Sequence, residues 1–454
     1  MKQTVSQLRL GFHDKQRVDV TFDAPDTSSD GGLLLLRQVD EELGLSDWFS
    51  WQMPDERDQG RLRHDRKEQV RQRVYQIACG YEDCNDADDL RTDPLLKTVC
   101  DMNPDDEGGL SSQPTLSRFE NSVTGWHLRQ LMNRFEDTYV EGLPEDTTEI
   151  ILDIDATDDP THGAQQLSFF HGYYDRYIFL PLMIFDGVSG ELVTASLRPG
   201  NVHASRGAGV MLERVIRKIK GRFPDATILI RADSGFCMPK DLDRYERLNE
   251  ELGSVEYIIG IGKNNVLVTL GKSALEEAER RFMDTGRHVR HFTHFDYATK
   301  KTWSRKRRIV AKAERTAKGS NPRFVVTTLT EFSDRVVYEG YCQRGQCENL
   351  IKDLKNGLMA DRLSCHRYTA NFFRLLLHCA AYRLMHRLRH HVAAVSPDLG
   401  RTQFDTLRLK LLKVAAQVTR SVRRILARLP HSFPLAEVFA AVATRLKLAL
   451  NDTS

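Results

Sequence analysis

From residue 146 to about 263 the apolar residues switch between continuous runs and helical spacing, in an order that few folds accommodate. EIILDID, YIFLPLMIFD and ELVTASL read as strands, and ASRGAGVMLERVIRKIKGRF as a helix. ATILIRAD follows as a strand, PKDLDRYERLNEEL as a helix and VEYIIGIG as a strand. Runs such as IIL and ILI have no polar face, so these strands must be covered on both sides. Helices that cross over between parallel strands provide such cover.

Three strands, helix, strand, helix, strand is the order of a ribonuclease-H-like core, which makes the fold class α/β. A last core helix should follow, yet about eighty residues intervene. That interval, at about 264–335, contains strand-like HFTHFDY, RRIVAKAE and RFVVTTL and reads as a β-rich insertion. Residues 1–145 read as mainly helical, in SSDGGLLLLRQVDEELGL (28–45), RKEQVRQRVYQIACGY (66–81) and two helices within 111–139. Thr115 and Ser117 near a helix start leave two readings for the last of these, a recognition helix or plain helical packing, and 1–145 is the candidate DNA-binding region. NFFRLLLHCAAYRLMHRLRHH (371–391) is a strongly apolar helix, and 392–454 reads as a basic helical region. The expected division is therefore 1–145, a catalytic region 146–391 carrying the insertion, and 392–454.

In an α/β sheet, chemistry collects where strands end. TEIILDIDATDDP empties into Asp153, Asp155, Asp158 and Asp159, and ATILIRADSGF ends in Asp233. Further on, YCQRGQCENLIKDLK reads as a helix. At 100° per residue, Tyr341, Arg344, Glu348 and Lys355 fall within roughly 60° of one another. An acid, two cations and a phenol on one face suit a phosphate-facing surface, the acid to hold a metal and the cations to neutralise phosphates. Asp155, Asp233 and Glu348 together fit a pair of Mg²⁺ ions for in-line phosphoryl transfer, with Mn²⁺ as the expected substitute. Asp153 lies on the same strand face as Asp155 and stands as the alternative first ligand. Trp303, beside Lys300, Lys301 and Arg305, has two open readings: stacking on a flipped DNA base, or packing in a small core.

The segments LDIDATDDPTHG, RADSGF and YCQRGQCENLIKDLKNG, with GYEDCNDADDLRTDP and QPTLSRFEN upstream, resemble the DDE transposases of bacterial insertion sequences. The thirteen-eighty family is the most similar, over about residues 28–390 and with the motifs in family order. The resemblance implies cut-and-paste DNA transposition, with end cleavage by water and then strand transfer by the 3′-hydroxyl. It favours Asp155 as first carboxylate, because the family pattern puts that acid before a small residue and Thr. It implies that Tyr341 and Arg344, with Lys355, contact phosphates of the transposon end. Double-stranded DNA, as terminal inverted repeats and target, is the implied partner. Cutting both ends together needs two active sites, so a homodimer on paired ends is expected. The rival readings are a catalytically silent relative that binds ends without cutting, and a structure-specific nuclease on the same core.

Charge distribution agrees with this reading where net charge does not speak. Lys plus Arg (65) nearly cancels Asp plus Glu (63), but from residue 381 onward there are 13 Lys/Arg against 4 Asp/Glu. KKTWSRKRRIVAKAER (300–315) is a second basic stretch. A basic surface around an acidic pocket suits a DNA-processing enzyme. Eight cysteines show no zinc-ligand spacing, and free thiols are expected. Gly271-Lys272-Ser273 ends like a P-loop, but the position of its first glycine is Val266, so ATP is not expected. No signal-like or membrane-length apolar run is present, and the expected location is the cytoplasm, on the nucleoid, with no membrane partner.

Overall fold

The computed structural model describes residues 8–452 apart from Glu56, Gln59 and Arg61. Two compact units divide the chain. Residues up to 50, 54–119 and 387 onward form the smaller, and 51–53 with 120–386 form the larger.

The strands of the larger unit, in chain order, are β1 (Glu149–Ala156), β2 (Asp159–Pro160), β3 (Phe169–His171), β4 (Arg176–Phe179), β5 (Leu182–Asp186) and β6 (Leu192–Ser196). They continue as β7 (Thr227–Ala232), β8 (Val255–Ile261), β9 (Val289–Tyr297), β10 (Arg307–Thr316), β11 (Gly319–Ser320) and β12 (Arg323–Thr327). Its helices are α1 (Gly125–Gly142), α2 (Ala208–Arg222), α3 (Pro239–Leu252), α4 (Asn265–Leu270), α5 (Lys272–Thr285), α6 (Asp334–Cys342), α7 (Gly345–Lys352) and the part of α8 (Tyr368–Val395) up to His386. The main sheet runs β9-β10-β12-β8-β7-β1-β5-β6, with β11 paired to β10 at the side. β7 is parallel to both β1 and β8, while β5 and β6 form an antiparallel meander beyond β1.

Period-two alternation sends Ile150, Leu152 and Ile154 of β1, Ile228 and Ile230 of β7, and Tyr257 and Ile259 of β8 into one core. α2 presents Met211, Leu212, Val215, Ile216 and Ile219 to that core, the i, i+1, i+4, i+5, i+8 stripe of an amphipathic helix. α3 does the same with Leu242, Tyr245 and Leu248. It starts at Pro239, where a missing N–H is harmless, and stops at Gly253, whose φ of 71° suits glycine. Truncating Leu152 or Ile230 to Ala removes fully buried methyl groups and should cost about 2–5 kcal/mol.

The structure departs from the sequence reading in several places. YIFLPLMIFD is two strands rather than one. Pro181 has no N–H to give a ladder, and it separates β4, which pairs with β2 and β3 in a small sheet of its own, from β5 in the main sheet. Residues 264–335 are not a β-rich module set apart. α4 and α5 take up their first part, and β12 and β10 continue the main sheet past β8, sending Ile309, Ala311, Phe324 and Val326 into the same core as β1. Covering the β8 edge in this way removes an unpaired row of backbone groups.

The tail departs most. DTLRLKLLKVAAQVTRSVRRILARL is helical only at its start, then forms a hairpin of Ala416–Ser421 and Arg424–Arg428 that pairs with Thr27–Ser28. Val414, Ala416 and Val418 are buried, while Gln417 and Thr419 face outward. That alternation of small and β-branched residues suits a half-buried strand. Arg420, Arg423, Arg424 and Arg428 are exposed on the hairpin, so the basic character survives on β structure. The helix Ala436–Asp452 follows. In the same unit lie the helices Leu33–Leu43, Arg66–Ala78 and Pro94–Val99. Gly31 donates its N–H to the Val414 carbonyl at 2.7 Å, and a Cβ on Gly32 would fall 2.4 Å from Leu412 Cα. The two ends of the chain thus meet at bare backbone. Parts of the expected 1–145 and 392–454 regions form one unit, whereas α1, expected with the former, belongs to the larger unit. No helix among the described residues is long and apolar enough to cross a membrane.

Candidate active site

β1 and β7 are adjacent and parallel, and Ile154 is matched with Ala232. Asp155 and Asp233 take the next position on each strand, so two carboxylates leave backbones about 5 Å apart. Asp233 accepts the Gly235 N–H at 2.8 Å and caps the short turn Ser234–Phe236. Asp155 accepts the N–H of Ala156 at 2.8 Å, and its side chain is only 14% exposed. Burial first, and the Asp233 charge second, push its carboxyl up to about 6 despite the nearby Arg344.

Tyr341, Arg344 and Glu348 approach these acids, but not from one unbroken helix. The chain tightens between α6 and α7: the N–H groups of Arg344, Gln346 and Cys347 donate to carbonyls three residues back, at 3.1, 3.0 and 2.9 Å. The break falls beside Gly345, a poor helix former. After α7 the backbone widens into a single π-turn over Asp353–Gly357, a distortion common at functional positions. The single-helix angle is therefore not what brings these side chains together. Arg344 reaches Asp155 at 3.2 Å and Glu348 at 3.7 Å, standing between the two acids. Burial opposes its charge, but Asp155, Tyr341 and Asp233 outweigh that and hold its proton more tightly than usual. Glu348 is 58% exposed. It lines an open cleft of about 320 Å³ with Asp155, Thr157, Ile351, Lys352 and Lys355. Tyr341 packs over Gly260 of β8, where a Cβ would fall 2.6 Å from the Tyr341 hydroxyl.

Asp153 is engaged elsewhere. It is 1% exposed and bound by both Nε and Nη2 of Arg231 at 2.7 Å each. Arg231 also donates to the Gly340 carbonyl at 3.1 Å. Lys355 turns to the loop after β1, donating to the Asp158 carbonyl at 2.7 Å and its carboxylate at 3.0 Å. Trp303 is half-buried against the main core, edge-on to Tyr297 at 5.4 Å and under the Arg307 guanidinium at 5.1 Å. Of its two readings, packing is the one the structure describes.

Among the described residues no three His, Cys, Asp or Glu side chains are arranged to hold one metal ion. The donor chemistry nonetheless fits a hard divalent cation. Burial first, and the neighbouring Asp233 charge second, disfavour the ionised Asp155, and a cation there would offset both. Glu348 is exposed enough to turn toward them.

In the smaller unit, Arg57, Arg63, His64, Arg91, Ser112 and Thr115 line a second cleft of about 420 Å³. It lies at the start of the helix Gln113–Asn121, where the recognition-like Thr115 sits.

The site is thus a sheet ending in paired acids, faced by an Arg–Glu pair from a short helix. The model of the transposase DDE domain group 1 family matches residues 10–451, and the chain belongs to that family. No curated protein matches the chain. A solved piggyBac transposase, in a synaptic complex with hairpin DNA, is similar at 12% identity over 93% of this chain and 84% of that one, with a TM-score of 0.41.

Sequence reasoning missed several of the partners these side chains take. Arg231, two residues before Asp233 in a run otherwise apolar, signalled a buried counter-charge. The Asp158 hold on Lys355 left no such signal. The aromatic run FFHGYYDRY, between the first two main-sheet strands, was legible but unassigned.

Proposed function

We propose that this chain is a cut-and-paste DNA transposase whose catalytic carboxylates are Asp155, Asp233 and Glu348. The observation that carries the proposal is the matched pair Asp155 and Asp233, with Glu348 linked to Asp155 through Arg344. The strand meander β1-β5-β6, followed by α2-β7-α3-β8, supports a ribonuclease-H-like core. The three acids would hold two Mg²⁺ ions, with Mn²⁺ as substitute; when bound, these supply Lewis-acid activation of the attacking oxygen and stabilisation of the leaving one. Arg344 and Tyr341 orient a backbone phosphate over the acids, and Arg344 exchanges its carboxylate partners for phosphate oxygens as DNA arrives. Lys355 joins them when released from Asp158. Asp153 keeps Arg231 neutralised inside the sheet and takes no part in chemistry.

Recognition of transposon ends falls to the smaller unit, with its basic cleft at Thr115 and its arginine-bearing hairpin. Paired ends require two copies of the chain, so a homodimer assembles on DNA. The test is cleavage of labelled DNA carrying the element's own ends with Mg²⁺, comparing wild type with Asp155→Ala, Asp233→Ala and Glu348→Ala. Loss of nicking in all three with binding retained is the expected result. Wild type that binds but never cuts would identify a silent end-binding relative. Cutting indifferent to end sequence would identify a structure-specific nuclease.

A further inference from the structure

The turn joining β3 to β4, within FFHGYYDRY (169–177), carries rings that no core absorbs. Tyr173 is 85% exposed, Tyr177 61% and Phe170 50%. Phe170 and Tyr177 are directly opposite across the strands, edge-on with centroids 5.8 Å apart. At the tip Tyr173 meets Tyr174 at 5.0 Å, and His171 packs on Tyr174 at 5.1 Å.

The root beneath these rings is fixed. Ile178 and Phe179 are fully buried, Phe179 bridges to Pro199, and a Cβ on Gly200 would fall 2.0 Å from the Ile178 carbonyl oxygen. Gln165, in the preceding loop, donates to the carbonyls of Leu363 at 2.6 Å and Cys365 at 3.0 Å. The hairpin is tied to the loop that follows Asp155. Arg176 of β4 pairs with Asp158 at 2.7 Å, the same carboxylate that holds Lys355.

We propose that this hairpin is a stacking platform for unpaired bases of the DNA strand drawn into the acidic site, with Phe170, Tyr173 and Tyr177 supplying the ring faces. The inference rests on the transposase reading above. Rings flanked by cations, beside a phosphoryl-transfer site, match a single strand in both its parts: bases on the aromatic faces, phosphates toward Arg176 and Lys355. A duplex keeps its base faces stacked and has none to offer. A rigid root holds the rings exposed before DNA arrives, so little ordering is needed on binding.

The experiment uses the full chain and fluorescence anisotropy with two labelled probes, a (dT)20 single strand and a 20-base-pair duplex. Wild type should bind both. Tyr177→Ala and Phe170→Ala should each weaken (dT)20 binding by about tenfold or more while duplex affinity stays within twofold, and Tyr177→Phe should retain single-strand affinity. Unchanged (dT)20 binding in both alanine variants, or equal losses on both probes, would overturn the platform. Wild type that binds duplex but not (dT)20 overturns the platform alone, whereas wild type that binds neither overturns the transposase reading as well. Sedimentation velocity on the same variants covers the other use of an aromatic face. A dimer lost in the alanine variants with (dT)20 affinity intact would make the hairpin a contact between copies of the chain.

Discussion

Asp153 and Asp155 are two residues apart on one strand, yet neutralising them should move stability in opposite directions. Asp153→Asn strips the counter-charge from Arg231, which is itself buried and keeps only the Gly340 carbonyl as a strong partner. Leaving one member of a buried pair uncompensated costs about 3–5 kcal/mol. Asp155 is the reverse case. Its folded carboxyl titrates at about 6 against an ordinary 3.8, so the native state binds that proton more tightly than the unfolded chain. Its ionised form therefore carries a folding penalty above pH 6, relieved as pH falls from 6 toward 4. Two pKa units correspond to about 3 kcal/mol, an upper bound for a group still 14% exposed and paired with Arg344. Asp155→Asn should stabilise the chain by about 1–3 kcal/mol at pH 8, and the gain should vanish near pH 4. The assay is urea unfolding with EDTA present at both pH values, read by far-UV circular dichroism and by tryptophan fluorescence because two units need not unfold together. As a control, Asp153→Leu with Arg231→Met should recover most of the stability lost by Asp153→Asn. Equal destabilisation by both asparagine variants, or a pH-independent effect of Asp155→Asn, would refute the reasoning.

Glu348→Ala changes an exposed side chain and should alter stability by no more than about 0.5 kcal/mol, so a melting curve like wild type beside lost cleavage would separate chemistry from folding. Gly260→Ala places a Cβ 2.6 Å from the Tyr341 hydroxyl and 2.9 Å from the Ser234 amide; it should cost about 1–3 kcal/mol and reduce strand cleavage more than DNA binding in gel-shift and nicking assays. Glu314 works against burial but is held down to about 2 by hydrogen bonds from Lys312, Arg290 and His288. Its stabilisation is therefore complete above the ordinary glutamate range and lost as pH falls from about 4 toward 2. Glu314→Gln should cost about 1–3 kcal/mol at pH 7 and nothing at pH 2, as measured by urea midpoints across that range.

What was legible in the sequence was what the backbone alone decides. IIL, TILI and YIIGI have no polar face, and they became the three strands at the middle of the main sheet. The first two deliver Asp155 and Asp233 to the same end. What stayed hidden depends on partners distant in the chain. The period-two pattern in VAAQVTRS competes with a helical spacing of leucines just before it, and only Thr27–Ser28, supplying a strand to pair with, decides for the hairpin. Likewise, one Gly in the Y-x2-R-x3-E-x6-K segment did not announce a break, because Gly is tolerated inside many helices. The pull of Asp155 on Arg344 comes from another element. Trp303 shows the same limit: its basic neighbours were visible, whereas Tyr297 and Arg307, which pack on its ring, were not visible as neighbours.

The smaller unit has a consequence for how the protein is made. Its Thr27–Ser28 strand pairs with a hairpin that begins at residue 416, and the helix Leu33–Leu43 packs against Ala436–Asp452. At roughly 5–20 residues per second, the ribosome finishes the early helices roughly 15–70 s before it reaches the segments that complete them. Throughout that interval the apolar faces of the first hundred residues lack their final cover. A nascent chain that stops short of the tail holds the whole acid-bearing sheet but an unfinished smaller unit. Chains terminated before residue 416 should accordingly be targets for chaperones and proteases.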